Sequence, residues 1–451
     1  MGNRQGTFRF PIKLAVAVFV AAFCGVVLCE YSFLRQGCFL WCVYLRPLMV
    51  LGSLWLVAIG VGSRLWSLLR LPGHEADSLG FESPRVTGRV SASEFLCFAT
   101  LLGFGGIAYL VAALCLLQLF SPATVLVALA LLAVWSAKPL EHLLEFWWSR
   151  IHIENLQPRK RHRIGNRFFF QIFIPMLVLA VLVPSLLAAI QPPCQSDALR
   201  YHLAVPEVYV RHNGWVELPH SSFSNFPFMV EMIYAVAILF KSPEATGLIH
   251  FGSLLLVLAL VYLLGKRLCG ARPGLLATAL LATSPFLPIL AGWAFIEVAL
   301  AAYQLAAVHA LTISEERWKD SSRNSHLRLA GVLLGLCLGI KYTSVFFAAF
   351  LFIWVLYLVL RKREHARNDT RQTVRSLLTF CLVAFLVGMP WYLKNLILFG
   401  NPIYPLLGES LGHGNWNALN TALYKFHMSL KGGLYQTGGL DFWSRTKDLL
   451  T

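Results

Sequence analysis

The stretch Gly252-Ser-Leu-Leu-Leu-Val-Leu-Ala-Leu-Val-Tyr-Leu-Leu264 decides the fold class, because it carries no charged residue. It lies within an apolar run, 245–265, close to the ~20 residues that cross a bilayer core. The whole chain is 57% hydrophobic and 13% charged, whereas soluble proteins are about 25% charged. Backbone groups in lipid must be hydrogen-bonded internally, so these runs must be helices. A β-barrel would instead show short alternating segments. The sequence therefore predicts an all-α, polytopic membrane protein.

Over the whole chain, the hydropathy pattern predicts about eleven transmembrane helices. The predicted spans are 11–30, 44–63, 95–118, 122–139, 169–190, 245–265, 273–291, 295–313, 327–341, 343–361 and 376–398. The two spans 327–341 and 343–361 are short and meet at Gly339-Ile-Lys-Tyr342, which indicates a tight hairpin. The apolar segment 226–240 is too short to cross and is more typical of a re-entrant or interfacial helix.

The basic residues predict the orientation of these helices. With the N-terminus in the cytoplasm, 27 of the 38 Lys and Arg residues fall on the cytoplasmic side and only 7 fall outside before residue 399. Cytoplasmic loops of membrane proteins carry such an excess. The net charge of +16 is thereby explained without a nucleic-acid partner. If 226–240 were a crossing, the later basic loops would lie outside the cytoplasm, so the charges argue against this crossing.

Three regions follow from this topology. Residues 1–168 form an N-terminal four-helix membrane region with a basic cytoplasmic loop. Residues 169–398 form the membrane core, with an outer loop over 191–240. Residues 399–451 form a polar, outward-facing tail that we expect to be either an outward domain or the end of a truncated chain.

Acidic residues gather on the predicted outer face. Ser196 is a good N-cap for a helix that begins at Asp197, which places Asp197 and Tyr201 one turn apart, with Arg200 on the same side. Glu231 lies in the re-entrant segment and Glu297 near the outer end of a span, where ionised groups are costly. Either these carboxylates are structural, complementing helix dipoles or pairing, or they converge on a wet cavity. In that cavity they could act as a base or hold a divalent metal, with Asp197 and Glu231 as its ligands.

Two lysines flank this acidic cluster. Lys341 lies at the turn of the short hairpin, and Lys394 lies beside Asn395 at the outer end of the last span. A lysine at a membrane interface is usually an anchor whose ammonium group reaches the headgroups; the alternative is phosphate binding. Gly103, Gly105 and Gly106 lie in an apolar helix and not after a strand, so we expect no nucleotide cofactor.

Several motifs together resemble the GT-C membrane glycosyltransferases, in particular bacterial enzymes related to protein O-mannosyltransferases and aminoarabinose transferases (the glycosyltransferase family 39 type). The motifs are Asp197-Ala-Leu-Arg-Tyr-His-Leu203, Asn213-Gly214, Ser224-Asn-Phe-Pro227 with Glu231, Ala294-Phe-Ile-Glu297, Gly335–Thr343, Trp391-Tyr-Leu-Lys-Asn395 and Gly400-Asn-Pro-Ile-Tyr-Pro405. The resemblance covers roughly residues 190–406. The chain departs from the pattern in having Glu297 where the family often has Asp, Lys394 where it often has Arg, and four or five helices before the acidic loop.

The resemblance implies transfer of a sugar (a hexose or pentose) from a polyprenyl-phosphate donor to an acceptor on the extracytoplasmic face, in a bacterial plasma membrane. The acceptor could be a lipid, a glycan or a protein. The implied catalytic residues are Asp197, Glu231 and Glu297. The implied substrate-binding residues are Arg200, Tyr201, His202, Asn225, Lys341, Tyr342, Lys394 and Asn395. A polytopic transporter or lipid flippase is the alternative, and it would show midplane charges and inverted repeats.

Overall fold

The computed structural model describes residues 45–69, 90–154, 168–218, 221, 223–317, 323–366, 370–407, 411 and 422, and every regular element within these ranges is a helix. Eight of the helices are long and apolar enough to cross a membrane. The protein is therefore an all-α polytopic membrane protein, as predicted. The predicted first span, 11–30, lies outside the described residues.

The described helices follow one another along the chain. They are α1 (Arg46–Leu68), α2 (Ala92–Leu116), α3 (Pro122–Glu154), α4 (Phe169–Ala189, which opens with a π-helical turn over Phe169–Phe173), α5 (Ala204–Arg211), α6 (Met229–Leu239), α7 (Glu244–Cys269), α8 (Ala271–Ala282), α9 (Phe286–Ala291), α10 (Glu297–Glu316), α11 (Arg323–Leu338), α12 (Ser344–Ala366) and α13 (Thr370–Phe399). A further π-helical turn, Ala198–His202, precedes α5.

Two predicted spans correspond to helices too short to count as candidate crossings. The predicted span 273–291 is wrong as a single helix, because it divides into α8 and α9 around Thr283-Ser284-Pro285. A proline disfavours helical conformation in the residue before it, and the Thr283 hydroxyl donates to the Ala279 carbonyl, 2.8 Å away, at the end of α8. The predicted span 327–341 is the 16-residue helix α11. It ends at Leu338 and α12 begins at Ser344, so the predicted break at Gly339–Tyr342 is confirmed.

Helix α6 is the predicted non-crossing segment, and its 11 residues are indeed too few to be a candidate crossing. Nearly all of its residues are buried, including Glu231. It packs against α2, α5 and α7. An apolar helix that is covered all round is a core element, so α6 is buried within the protein rather than lying on its surface.

The chain divides into two compact units. The first comprises residues 1–215 and 228–389, and the second comprises residues 216–227 and 390–451. In the first unit α2, α7 and α10 are mostly buried, whereas few residues of α3, α4 and α12 are buried, as in lipid-facing helices. The predicted division of the membrane region at residue 168 stays a prediction.

Close packing of α1 on α2 depends on two glycines. A Cβ atom built on Gly62 would lie 1.7 Å from the Ala99 carbonyl oxygen, and one on Gly103 would lie 1.7 Å from the Ala58 carbonyl oxygen. Small residues let helix backbones approach this closely in membranes. Gly103 and Gly62 therefore both have a packing role at the contact of α1 with α2.

A charged network joins three helices at one end of the first unit. Arg267, at the end of α7, donates through Nε and Nη2 to the Glu94 carboxylate of α2 at 2.8–2.9 Å, and through Nη1 to Glu316 at 2.6 Å. His309 Nε2 lies 2.8 Å from Glu94 Oε1. Glu94 also closes a capping box with Ser91 at the start of α2. The network fixes the relative direction of the helices: the start of α2 lies beside the ends of α7 and α10.

Candidate functional site

The candidate site begins in the loop after α4, where the chain turns helical one residue earlier than predicted. Ser196 is already helical, and the Gln195 carbonyl accepts from the Leu199 N–H at 3.0 Å. The predicted N-cap role of Ser196 is therefore wrong. Its hydroxyl donates instead to Asp197 Oδ1 at 3.4 Å. Asp197 is half-buried and Arg200 is exposed.

Tyr201 is influenced electrostatically by the three predicted acidic residues. Burial raises the pKa of Tyr201, and the carboxylates of Asp197, Glu231 and Glu297 raise this pKa further, whereas Arg200 lowers it. Charges act on a neighbour's pKa over short distances, chiefly within a few ångströms. All three predicted catalytic carboxylates therefore lie within electrostatic range of one phenol in the first unit.

His202 and Glu231 form a buried pair beside this phenol. His202 Nδ1 lies 2.8 Å from Glu231 Oε1, and each side chain is 1% exposed. Burial raises the pKa of Glu231, and the hydrogen bond from His202 opposes that shift. Among the described residues, Glu231 Oε2 has no hydrogen-bond partner. The one hydrogen bond that the Glu231 carboxylate accepts from a described side chain therefore comes from the buried His202 ring.

Glu297 is held at the first position of α10 by an ion pair. Lys341 Nζ donates to Glu297 Oε1 at 2.8 Å, and the Ile296 N–H donates to Glu297 Oε2 at 3.2 Å. The two paired side chains are each about one-third exposed (34% and 35%). An ammonium has three N–H donors, so Lys341 can bind a further anion without leaving Glu297. Tyr342, the next residue, is half-buried.

The turn that carries Lys341 is also tied to the helix that carries Glu231. The Met229 N–H at the start of α6 donates to the Gly339 carbonyl at 3.0 Å. Met229 N–H is one of the donors that an α-helix leaves unsatisfied at its start. One backbone bond thus fixes the spacing between the buried pair and the ion pair.

The N-terminal helices support the loop that follows α5. The Trp215 N–H donates to the Cys115 carbonyl at the end of α2, and the Phe120 N–H donates to the Asn213 carbonyl, each at 2.8 Å. Gln118 Nε2 donates to the Trp215 carbonyl at 2.7 Å. These bonds anchor the chain after α5 to the α2–α3 turn, which gives the early helices a structural role that the sequence left open.

Three other predicted residues come together within the second unit. Lys394 Nζ donates to Asn225 Oδ1 at 3.3 Å, and Asn395 Nδ2 donates to the Asn225 carbonyl at 2.8 Å and to the Tyr404 carbonyl at 3.5 Å. All three predicted side chains are buried. Asn401, which the sequence placed only in a motif, is also buried, and its amide caps the following turn by donating to the Leu406 carbonyl. The predicted role of Lys394, Asn225 and Asn395 in donor binding stays a prediction.

The donors do not form a three-ligand metal site. Within the described ranges, no group of three or more His, Cys, Asp or Glu side chains is placed to hold one ion. Glu231, one of the two predicted ligands, is instead bonded to His202. A metal bound here would need most of its ligands from water or substrate, as Mg²⁺ can accept. The predicted metal stays a prediction.

Several contributors to the site escaped sequence reasoning. His250 and Tyr234 bond to the chain just before Glu297. Both residues lie inside apolar helices, where a buried histidine or tyrosine is usually a satisfied core residue. Only the tertiary contacts reveal that they face the chain segment leading into α10.

Comparison with protein families gives one match. A family model described as a domain of unknown function (DUF8201) matches residues 236–436, which is less than half of the chain. The matched part includes Glu297, Lys341 and Lys394 but excludes Asp197 and Glu231. Neither the comparison with curated proteins nor the comparison with solved structures found a match. Over residues 236–436 the chain is thus similar to a family whose description states no activity.

Proposed function

We propose that this protein is a membrane glycosyltransferase that moves a sugar from a polyprenyl-phosphate donor to an acceptor hydroxyl on the extracytoplasmic face. The observation that carries the proposal is the 2.8 Å contact of Lys341 with Glu297, together with the electrostatic influence of Asp197, Glu231 and Glu297 on Tyr201. A transferase of this kind needs a base for the acceptor and a cation for the departing phosphate. Both kinds of group lie in the first unit.

Asp197 is the best placed of the three carboxylates to act as the base. Glu231 is buried against His202, and Glu297 already accepts from Lys341. Asp197 is half-buried, and its carboxylate accepts a hydrogen bond from the Ser196 hydroxyl at 3.4 Å. Its carboxylate therefore keeps room to accept a proton from an incoming hydroxyl.

Lys341 is the best placed cation to receive the phosphate. It is one-third exposed and keeps N–H donors beyond the one that Glu297 accepts. Arg200 adds an exposed guanidinium near the same phenol. Glu297 orients the Lys341 ammonium, because a carboxylate fixed at a helix start restricts where the bonded Nζ can lie.

The proposed step balances in atoms and charge. The acceptor O–H gives its proton to the Asp197 carboxylate while the acceptor oxygen forms a bond to the anomeric carbon of the sugar. The bond from that carbon to the phosphate oxygen breaks, and the electron pair leaves on the polyprenyl phosphate. Lys341 and Arg200 stabilise the added negative charge on the phosphate. Water then takes the proton from Asp197.

The test is a transfer assay on the purified protein in lipid nanodiscs, using a panel of labelled short-chain polyprenyl-phosphate sugars. We expect the wild type to release polyprenyl phosphate and Asp197→Asn to lose about 100- to 10,000-fold in rate, the range of general-base catalysis. Glu207→Gln, which alters an exposed carboxylate paired with Arg211, is the matched control.

Two results would contradict the proposal. One is an Asp197→Asn rate within a few-fold of the wild type, provided the variant is folded and membrane-inserted. The other is movement of lipid or solute across proteoliposomes with no bond cleavage in any donor of the panel, which would favour the transporter alternative.

A further inference from the structure

Helix α10 begins without a capping side chain of its own. Its N-cap residue is Ile296, and no side-chain bond caps the helix from that position. Isoleucine is among the poorest N-cap residues because it has no acceptor to offer. The N–H groups of the first turn, which include Val298, need acceptors from elsewhere.

His250 of α7 supplies one of them. The Val298 N–H donates to His250 Nε2 at 3.1 Å, and His250 Nδ1 lies 2.7 Å from the Trp293 carbonyl. The carbonyl can only accept and the amide can only donate, so the ring must be neutral with its proton on Nδ1. The ring is fully buried at 0% exposure. Both ring nitrogens therefore form hydrogen bonds with the backbone on either side of Glu297.

The segment between α9 and α10 is held from a second direction. The Tyr234 hydroxyl donates to the Phe295 carbonyl, and Ala294 and Ile296 are buried. Residues 292–296 are not helical, so their position depends on these side-chain bonds. A helix start that is fixed in this way also fixes the direction of the first side chain, Glu297.

We propose that His250 is a positioning residue for the Glu297–Lys341 pair: it takes over the capping of α10 and thereby sets where the Lys341 ammonium meets the substrate phosphate. This inference rests on the proposed function for its catalytic consequence. Its structural consequence, the fixing of the start of α10, can be measured without any substrate.

Two substitutions separate hydrogen bonding from packing. His250→Gln retains one donor and one acceptor on a planar group, as the neutral ring does. His250→Leu retains volume and removes both. His212→Leu is the control, because His212 is exposed and bonds only within its own turn, to the Val208 carbonyl.

The first measurement is hydrogen exchange of peptides covering residues 293–300 in nanodiscs. We expect faster exchange in His250→Leu, a return toward wild type in His250→Gln and no change in His212→Leu. Unchanged exchange in His250→Leu would overturn the inference, whatever the activity.

The second measurement is steady-state transfer. We expect kcat of His250→Leu to fall about 100-fold, the cost of a displacement of about 1 Å in a site, with KM nearly unchanged and partial recovery in His250→Gln. Faster exchange with wild-type kcat would overturn the positioning role. If the wild type transfers no sugar and yet exchange responds as expected, the contact stands and the proposed function is the part that fails.

Discussion

His202 Nδ1 and Glu231 Oε1 lie 2.8 Å apart, and both side chains are almost completely removed from solvent. An isolated charge buried in an apolar core costs much free energy. A carboxylate at this position therefore depends on a partner such as the His202 ring. The second oxygen of Glu231 finds no partner among the described residues.

This pair should make stability depend on pH. Burial raises the folded-state pKa of Glu231 above its usual 4.5, so the folded state binds the proton more tightly than the unfolded state does. The stabilisation is fully present below the unfolded pKa and is lost as pH rises through the folded pKa. Relative to Glu231→Gln, which cannot ionise, we expect the wild type to lose melting temperature as pH rises above 4.5.

The measurement is thermal unfolding in nanodiscs across that pH range for both proteins, with Glu207→Gln as the control for an exposed carboxylate. A difference between wild type and Glu231→Gln that stays flat, or that grows in favour of the wild type toward high pH, would contradict the raised pKa.

The Lys341–Glu297 ion pair should matter far more for activity than for stability. Both side chains are about one-third exposed, and such pairs contribute roughly 0–1 kcal/mol to folding. A cation that stabilises a departing phosphate is worth much more, and we expect Lys341→Ala to lower kcat about 100- to 1,000-fold. Arg211→Ala, which removes another cation from an exposed ion pair, should leave kcat unchanged. Equal losses in both variants would show that only the overall positive charge matters.

The Glu94–Arg267–His309 network should behave in the opposite way. Removing one partner of a buried ion pair leaves an uncompensated charge and costs about 3–5 kcal/mol. We expect Glu94→Ala to lower the melting temperature strongly, while the kcat of the fraction that folds stays near wild type, because the network joins the start of α2 to the end of α10 and the site lies at the start of α10.

Glu316→Ala is the matched control for this network, since Glu316 also accepts from Arg267 but is 31% exposed. Its loss should cost about 1 kcal/mol or less. The double variant Glu94→Ala with Arg267→Ala should lose less stability than the sum of the losses in the two single variants. Strict additivity would mean that the two side chains do not interact in the folded protein.

The sequence was sufficient to predict the helices whose apolar runs are long. The run that contains Leu254 to Leu264 became α7, and the predicted break at Gly339–Tyr342 separates α11 from α12. For 273–291, the length of the apolar run wrongly predicted a single helix. Pro285 divides this run, although its composition is continuously apolar. A count of apolar residues takes no account of local backbone restrictions, and this explains the error.

The candidate site was only partly visible in the sequence. Carboxylates at 197, 231 and 297 stand out because charge is rare among apolar residues, and all three raise the pKa of Tyr201. Their partners do not stand out in the same way. His250 lies in an apolar run, and Arg267 lies just beyond the predicted span 245–265, where nothing in the sequence indicates its pairing with Glu94. Pairing is a property of three-dimensional contact, which periodicity and charge counts do not contain.

The contact between α1 and α2 gives a sharp test of the helix packing, because α1 contains both a crowded and an uncrowded glycine. A Cβ on Gly62 would lie 1.7 Å from the Ala99 carbonyl oxygen, whereas one on Gly52 would meet nothing within 4 Å. Gly62→Ala must push the helices apart, and overpacking of this kind costs about 1–3 kcal/mol or more. Gly52→Ala should instead stabilise the protein by up to about 1 kcal/mol, since alanine favours helix more than glycine does.

The two variants differ by the same single methyl group on the same helix, so their melting temperatures should move in opposite directions. Gly103→Ala, which meets the Ala58 carbonyl from the other helix, should lower the melting temperature as Gly62→Ala does. Combining Gly62→Ala with Gly103→Ala should cost less than the sum of the two, because one separation of the helices relieves both clashes. Equal behaviour of Gly52→Ala and Gly62→Ala would mean that α1 and α2 do not approach so closely in the membrane.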